Sequence, residues 1–270
     1  MRQILLLKSL AQEASCIRFG VGEEGDKAVS LELAVLLAEN LLLPIPMCKE
    51  NRLNIQQQGI EVTKEDVLRY VRAGQKIFAG CMDKEWKRQA EEKGAVCYDY
   101  MEEKKIAIYN SIATAEGALA EIIRSYPCNL HGAKVLVLGF GTCGKTLAAK
   151  LKALSAVVCI AARSEEALME AYANGYRTVM LENLPPVLEE YPVIVNTIPA
   201  RILDKPKLAL VKEKTMIFEI ASFPYGVDVE AAKELGVDVK VCPALPAKYA
   251  PVSSAEILKQ YILEKQGGHT

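Results

Sequence analysis

Histidine is nearly absent from this chain. Its 270 residues hold only His131 and His269, together with one tryptophan, five phenylalanines and no Cys-x-x-Cys pair among eight cysteines. Two imidazoles, neither beside a cysteine pair, exclude a zinc site of the usual Cys/His spacing, so no metal is expected. The cysteines at 16, 48, 81, 97, 128, 143, 159 and 242 sit mostly in apolar contexts, Cys97, Cys159 and Cys242 among them. That is how small buried residues behave in a reducing compartment, and the expected location is the cytoplasm. An excess of charge of one sign is also lacking, since 33 Lys and Arg face 34 Asp and Glu. With a pI near 6.2 there is no electrostatic case for a nucleic-acid partner. No apolar run reaches the roughly 18 residues of a membrane span. The longest, 31–45, is broken by Glu32, Glu39, Asn40 and Pro44, and Met1 leads into a helix-like pattern rather than a signal peptide.

What is present is apolar and rhythmic. Hydrophobic residues make up 51% of a chain long enough for two domains of ordinary size. Short apolar runs alternate with amphipathic stretches, the pattern of α/β folds with parallel sheets. The first part predicts helices over 3–13, 28–38, 64–72 and 84–93, and strands over 15–19, 41–45, 76–79 and 95–98. This is a smaller, flavodoxin-like α/β domain that opens on a helix, where a parallel unit normally opens on its central strand. It therefore reads as lacking its first strand. Residues 101–126 predict an interdomain helix broken at 110–113 and ended by Pro127. Beyond the turn Asn129-Leu130-His131-Gly132, strands are predicted over 134–138, 157–161, 177–180, 193–195, 215–220 and 238–241. Six strands with intervening helices match a doubly wound, dinucleotide-binding parallel sheet of the Rossmann type. A last helix over 254–264 is expected to pack back on the first domain, with a disordered tail over 266–270. The expected division is 1–126, 127–252 and 253–270.

Residues Gly139-Phe140-Gly141-Thr142-Cys143-Gly144-Lys145-Thr146 satisfy two phosphate-binding patterns. One is G-x-G-x-x-G, the dinucleotide fingerprint; the other is G-x-x-x-x-G-K-[ST], the P-loop. A P-loop enzyme holds magnesium partly through an Asp that closes another apolar strand. The strands here close in Asn196-Thr197 and Glu219-Ile220-Ala221-Ser222, without that Asp. The dinucleotide reading asks instead for a ribose-contacting group about 20 residues on, at the end of the second strand. Arg163-Ser164 stands there. An arginine suits the 2′-phosphate of NADP, which a carboxylate would repel. The cofactor expected is NADP, with NAD as the alternative. Lys145 and Thr146 then become ordinary first-turn helix residues.

The loop belongs to a longer series of segments: Leu43-Pro44-Ile45-Pro46, Asn110-Ser111-Ile112-Ala113-Thr114-Ala115-Glu116-Gly117, the Gly139–Gly144 loop, Asn196-Thr197-Ile198-Pro199-Ala200, Ala221-Ser222-Phe223-Pro224-Tyr225-Gly226-Val227-Asp228 and Leu245-Pro246-Ala247-Lys248-Tyr249-Ala250-Pro251. In this order and spacing they resemble the A subunit of dipicolinate synthase, which makes pyridine-2,6-dicarboxylate in spore-forming bacteria. The family usually has Pro at Ala113 and Gly at Ala247, and opens with a strand and a Gly-Gly-Asp loop before Arg-Gln, whereas this chain begins Met1-Arg2-Gln3. The resemblance implies NADP-dependent oxidation of a dihydro- or hydroxytetrahydro-dipicolinate, in the cytoplasm of the mother cell during sporulation. The partner it implies is a flavoprotein-like B subunit. A homo-oligomer is expected, and neither nucleic acid nor membrane.

A dianionic dicarboxylate substrate needs cations or N–H donors. Arg2, Lys49, Arg201 and Lys248 are candidates, Lys248 first because it follows the last cofactor-domain strand in a Pro-rich stretch. Asn110, Ser111, Thr114 and Glu116 fall at the expected helix break, where they would either face a cleft or simply cap a helix start. Thr197, Ile198 and Pro199 close the fourth strand of the second domain and Ser222 the fifth, where ligands of such sheets bind. His131 precedes the first strand, which argues against a histidine-based dehydrogenase. Two alternatives stay open. One is another two-domain NAD(P) dehydrogenase of a small carboxylic acid, with Lys104, Lys105 and Asp99 as its candidate pair. The other is a non-catalytic NADP-binding regulatory or scaffold protein.

Overall fold

The computed structural model describes residues 2–21, 26–28, 30–55, 57 and 59–267, so His269 lies outside the described residues. The chain divides into two compact units, Met1–Ala107 with Pro251–Thr270, and Ile108–Ala250. The division falls between Ala107 and Ile108, inside the long helix, rather than after residue 126 as expected. The return to the first unit falls at Pro251 rather than 253.

Unit 1 runs α1 (Arg2–Leu10), β1 (Ile17–Arg18), β2 (Asp26–Lys27), α2 (Leu31–Leu37), β3 (Asn40–Leu42), β4 (Cys48–Lys49), β5 (Arg52–Leu53), α3 (Lys64–Tyr70), β6 (Lys76–Ala79), α4 (Lys84–Glu92) and β7 (Val96–Asp99). Its main sheet is parallel, in the order β3-β6-β7. The strand expected over 15–19 is shorter: among the described residues β1 pairs with β2 alone, outside that sheet. Side chains alternate across β6, as the period of a strand requires. Ile77 and Ala79 face a cluster with Val67, Trp86 and Ala90. Phe78 faces the opposite cluster of Leu6, Leu10, Tyr100 and Tyr261. A reciprocal capping box, Thr63 with Asp66, starts α3.

A 22-residue helix, α5 (Lys104–Ser125), runs on into unit 2 without a break at 110–113. The polar side chains expected to interrupt it bond back to the preceding turn: Ser111 Oγ donates to the Ile108 carbonyl at 2.7 Å, and Thr114 Oγ1 to that of Asn110 at 2.9 Å. Thr114 therefore caps no helix start. By length and composition α5 could cross a membrane, yet Ala115, Ala118 and Ile122 have no exposed surface and fill the core of unit 2.

Unit 2 continues with β8 (Lys134–Leu138), α6 (Thr142–Ala153), β9 (Val157–Ala162), α7 (Glu165–Ala173), β10 (Arg177–Met180), β11 (Val193–Asn196), α8 (Lys205–Leu208), β12 (Met216–Glu219), α9 (Val229–Leu235), β13 (Asp238–Val241) and α10 (Leu245–Tyr249). The last helix, α11 (Pro251–Gln266), belongs to unit 1 and carries through Gln266, where a disordered tail was expected to start. The six strands are all parallel, in the order β10-β9-β8-β11-β12-β13. Central strands in such a sheet are covered on both faces and read as unbroken apolar runs. Here β11 and β12 are buried throughout, while the edge strands β10 and β13 are not. Val135 and Val137 pack on the α5–α6 side, Leu136 and Leu138 on the other.

Candidate functional site

The strand order reverses between β8 and β11, which places a crevice at their carboxyl ends. Gly139 leaves β8 with φ at +99°, and a Cβ there would lie 2.4 Å from Thr197 Oγ1 and 2.8 Å from Ile198 Cγ1. Thr197 is held against the loop from the other side, its N–H and Oγ1 both donating to the Leu138 carbonyl at 2.9 and 2.8 Å. A Cβ on Gly144 would lie 2.2 Å from the Gly139 oxygen, so only glycine lets α6 sit this close to the strand end. Gly141 is different: nothing lies within 4 Å of the place a Cβ would occupy. It is the N-cap of α6, with no side chain on the free amides and no acid in the first turn. An open approach, unpaired N–H groups and the positive end of a twelve-residue helix suit a pyrophosphate. The residues present fit a dinucleotide.

The P-loop alternative does not survive the side chains. Lys145 Nζ pairs with Glu170 at 2.7 Å and lies 5.5 Å over the Phe140 ring, committed to α7 rather than to the loop. Thr146 Oγ1 bonds the Thr142 carbonyl at 2.9 Å and Ser111 Oγ at 2.8 Å.

At the end of β9, Arg163 is exposed and has no ion pair among the described residues. It borders a hollow of about 470 Å³ together with Arg201, Lys207 and Glu182. Arg201 is paired with Asp228, and Lys207 with Asp204 at 2.9 Å. Ser164 caps α7, its Oγ accepting from the Ala167 N–H at 3.3 Å.

Two residues outside the sequence expectation organise the lips of the crevice. Glu219 ends β12 with no exposed surface, and its carboxylate accepts from Asn196 Nδ2 and from the N–H groups of Ala221, Gly226 and Val227, at 2.8–2.9 Å. Asn196 Oδ1 in turn accepts from the Ile198 N–H at 3.2 Å. Burial raises the Glu219 carboxyl above its ordinary value, opposed by these donors. The pair thus fixes both the 197–198 and the 221–227 loops. Ser222 lies exposed in the second of these rather than closing a strand, since β12 ends at Glu219. Pro199 is also exposed. The available signal was Gly226, where a Cβ would lie 2.3 Å from Asn196 Nδ2.

Of the candidates for the chemistry, two stand against α6. Ser111 is buried against Thr146 and Thr114 bonds the Cys143 thiol, while Asn110 keeps a buried Oδ1 with no donor among the described residues. Lys248 is elsewhere, in the helix α10 rather than a loop. It donates to Glu121, as do Arg124 and Tyr249, the last at 2.6 Å. Glu121 is ten residues beyond Ser111 along α5, roughly 15 Å at 1.5 Å per residue. Lys248's own hydrogen bond to Glu121 raises its pKa, the wrong direction for a base. In unit 1, Lys49 is exposed on the β4–β5 hairpin. Asp99 is taken up by the N–H groups of Cys81, Met82 and Met101, and Lys105 by Glu264, so they form no catalytic Lys–Asp pair. Exposed His131 lies ahead of β8, at the opposite end of that strand from the crevice.

Residues 110–252 match the family described as S-adenosyl-L-homocysteine hydrolase, NAD binding domain. The dipicolinate synthase A subunit of Bacillus subtilis is 33% identical over 197 residues, which are 73% of this chain and 66% of that protein. The crystal structure of the same subunit from Bacillus halodurans superposes with a TM-score of 0.86 at 26% identity, covering 99% of this chain and 95% of that one. The crystal structure of the Bacillus subtilis protein gives a TM-score of 0.84 at 28% identity, covering 98% and 92%. The chain therefore belongs, through residues 110–252, to the S-adenosyl-L-homocysteine hydrolase NAD-binding-domain family, and its likeness to the A subunit of dipicolinate synthase runs through both of its units.

Proposed function

We propose that the chain is an NADP-dependent oxidoreductase subunit that forms pyridine-2,6-dicarboxylate from a dihydrodipicolinate-type acid, working with a flavoprotein-like B subunit. One observation carries the reading: the likeness to the A subunit of dipicolinate synthase covers 99% of the chain, the cofactor crevice included. That the relative is itself one lettered subunit of a synthase speaks for a partner.

The backbone of Gly139, Phe140, Gly141, Thr142, Cys143 and Gly144 would hold the pyrophosphate, and Arg163 with Ser164 the ribose 2′-phosphate. Thr197, Ile198, Pro199 and Ser222 would line the nicotinamide end, kept in place by Asn196 and Glu219. When bound, NADP⁺ would supply the hydride acceptor that aromatisation of the ring needs, with one proton released to solvent. Aromatisation is downhill, so placement and exclusion of water can supply most of the acceleration without a histidine base. Asn110, Ser111 and Thr114 would orient polar groups of the ligands. Lys248, tied to Glu121, is the weakest of the proposed catalytic groups.

The test is to mix the chain, with and without a B subunit, with NADP and enzymatically generated dihydrodipicolinate, and to follow the ultraviolet absorbance of the aromatic product. Product formation is expected. NADP binding without product under either condition overturns the synthase reading and leaves a binding scaffold. Arg163→Ser should cut the preference for NADP over NAD about 10- to 100-fold, the worth of a charge-assisted hydrogen bond. An unchanged preference removes Arg163 from the site.

A further inference from the structure

Unit 2 holds another hollow besides the one that Arg163 borders. It encloses about 370 Å³, within the roughly 300–1,000 Å³ of small-molecule sites, and lies between the last turns of α5, the end of β13 and α10. β13 is an edge strand, two places along the sheet from β11, where the cofactor crevice opens. Leu245 and Cys242, 2% and 7% exposed, give the hollow an apolar lining. The rest is charged: Arg124, Lys240 and Lys248 stand around a single carboxylate, Glu121.

These charges do not balance. Glu121 is buried and both of its oxygens are filled, Oε1 by Lys248 and Tyr249 and Oε2 by Arg124. Lys240 reaches no carboxylate among the described residues, and its Nζ donates to Ser125 Oγ at 2.8 Å. Asp238, two residues back on the same face of β13, is exposed and makes no ion pair among the described residues. The carboxyl end of α5 adds about half a negative charge, which leaves more than one positive charge of the hollow unanswered. Arg124 and Lys248 keep 67% and 53% of their side chains exposed, so their remaining N–H groups are open to an incoming ligand. A guanidinium and two ammonium groups around one partly enclosed space offer charge-assisted donors from three directions.

We propose that this hollow is a second anion site, which takes a compact dianion, a phosphate or a short dicarboxylate, on Lys240 and Arg124 with Lys248 beside them. It stands apart from the cofactor crevice and does not depend on the reaction proposed there.

Isothermal titration calorimetry of the full chain at low ionic strength tests it, with inorganic phosphate and succinate as separate probes, on wild type, Lys240→Met, Arg124→Gln and Lys233→Gln. Lys233 is exposed on α9, which packs on the opposite face of the sheet from Leu245 and Cys242, so its variant removes the same charge away from the hollow. Wild type should bind at least one probe, and the tighter of the two identifies the occupant. Lys240→Met and Arg124→Gln should each weaken that probe about 5- to 10-fold, a charge-assisted hydrogen bond discounted for its exposure to water. Lys233→Gln should leave it unchanged, and NADP should bind all four proteins alike. Lys240→Met keeps the apolar stem of the lysine, and Arg124→Gln keeps the test decisive if Lys240→Met does not fold. Neither probe binding to wild type overturns the site, as does affinity untouched by both hollow variants. An equal loss in Lys233→Gln overturns it too, because the effect is then one of net charge. NADP weakened in step with the probe also overturns it, by assigning the hollow to the cofactor.

Discussion

The three glycines of the 139–144 loop share a letter and differ in what they do. Gly139 has a positive φ and no space beside Thr197, and Gly144 has none beside the Gly139 carbonyl, whereas Gly141 has φ at −80° and open space. Gly139→Ala should therefore strain the ligand-free fold, on the order of 1–3 kcal/mol for a forced left-handed residue. Gly141→Ala should leave the melting temperature alone and weaken NADP at least about 10-fold, because the new methyl enters the space left for phosphate. Melting curves and nucleotide titrations on the two variants check the contrast. Equal effects on stability would refute the separation of roles. At this scale the loop was legible in the sequence, because glycine spacing encodes backbone geometry directly. Its Lys145-Thr146 tail read correctly as first-turn helix residues, but the lysine's pairing did not show, because it depends on Glu170 on the next helix.

Elements were legible where burial wrote itself into a run of residues. The fully covered β11 and β12 spell Val-Ile-Val-Asn and Met-Ile-Phe-Glu, and their polar last residues turn out to be the pair that holds two loops. Glu219→Gln should cost about 1–3 kcal/mol, since an amide nitrogen would face groups that can only donate. The pH dependence has a definite sign. A carboxyl whose folded pKa is raised loses stability as pH climbs from its ordinary value through the raised one. Glu219 makes that contribution, and Glu219→Gln should flatten it. Glu121 works in the opposite sense: the Lys248 hydrogen bond holds its carboxyl below the ordinary value, so its contribution is present above that value and fades on acidification. Chemical denaturation of wild type, Glu219→Gln and Glu121→Gln, from well below the ordinary carboxylate range up to neutral pH, separates the two. The continuity of helix α5 was not legible, because Asn, Ser and Thr read as breakers from sequence, while Ser111 and Thr114 spend their hydroxyls on the helix itself.

For the molecule as a whole, the two units should respond differently to nucleotide. A ligand at about 100 times its Kd stabilises the state it binds by about 2.7 kcal/mol. Hydrogen exchange with NADP should slow the amides of β8, the glycine loop and the first turn of α6, with the gain confined to residues 108–250. Equal protection of β6 and β7 would contradict that assignment. The alternation of apolar runs, the glycine loop and the Arg163-Ser164 strand end were fixed by local sequence, because each depends on backbone conformation and on spacing within a few residues. The boundary inside α5 and the capture of Lys248 by Glu121 across 127 residues were decided only by tertiary structure. Burial and pairing of a charged side chain depend on which distant segment packs against it, and no local pattern records that neighbour.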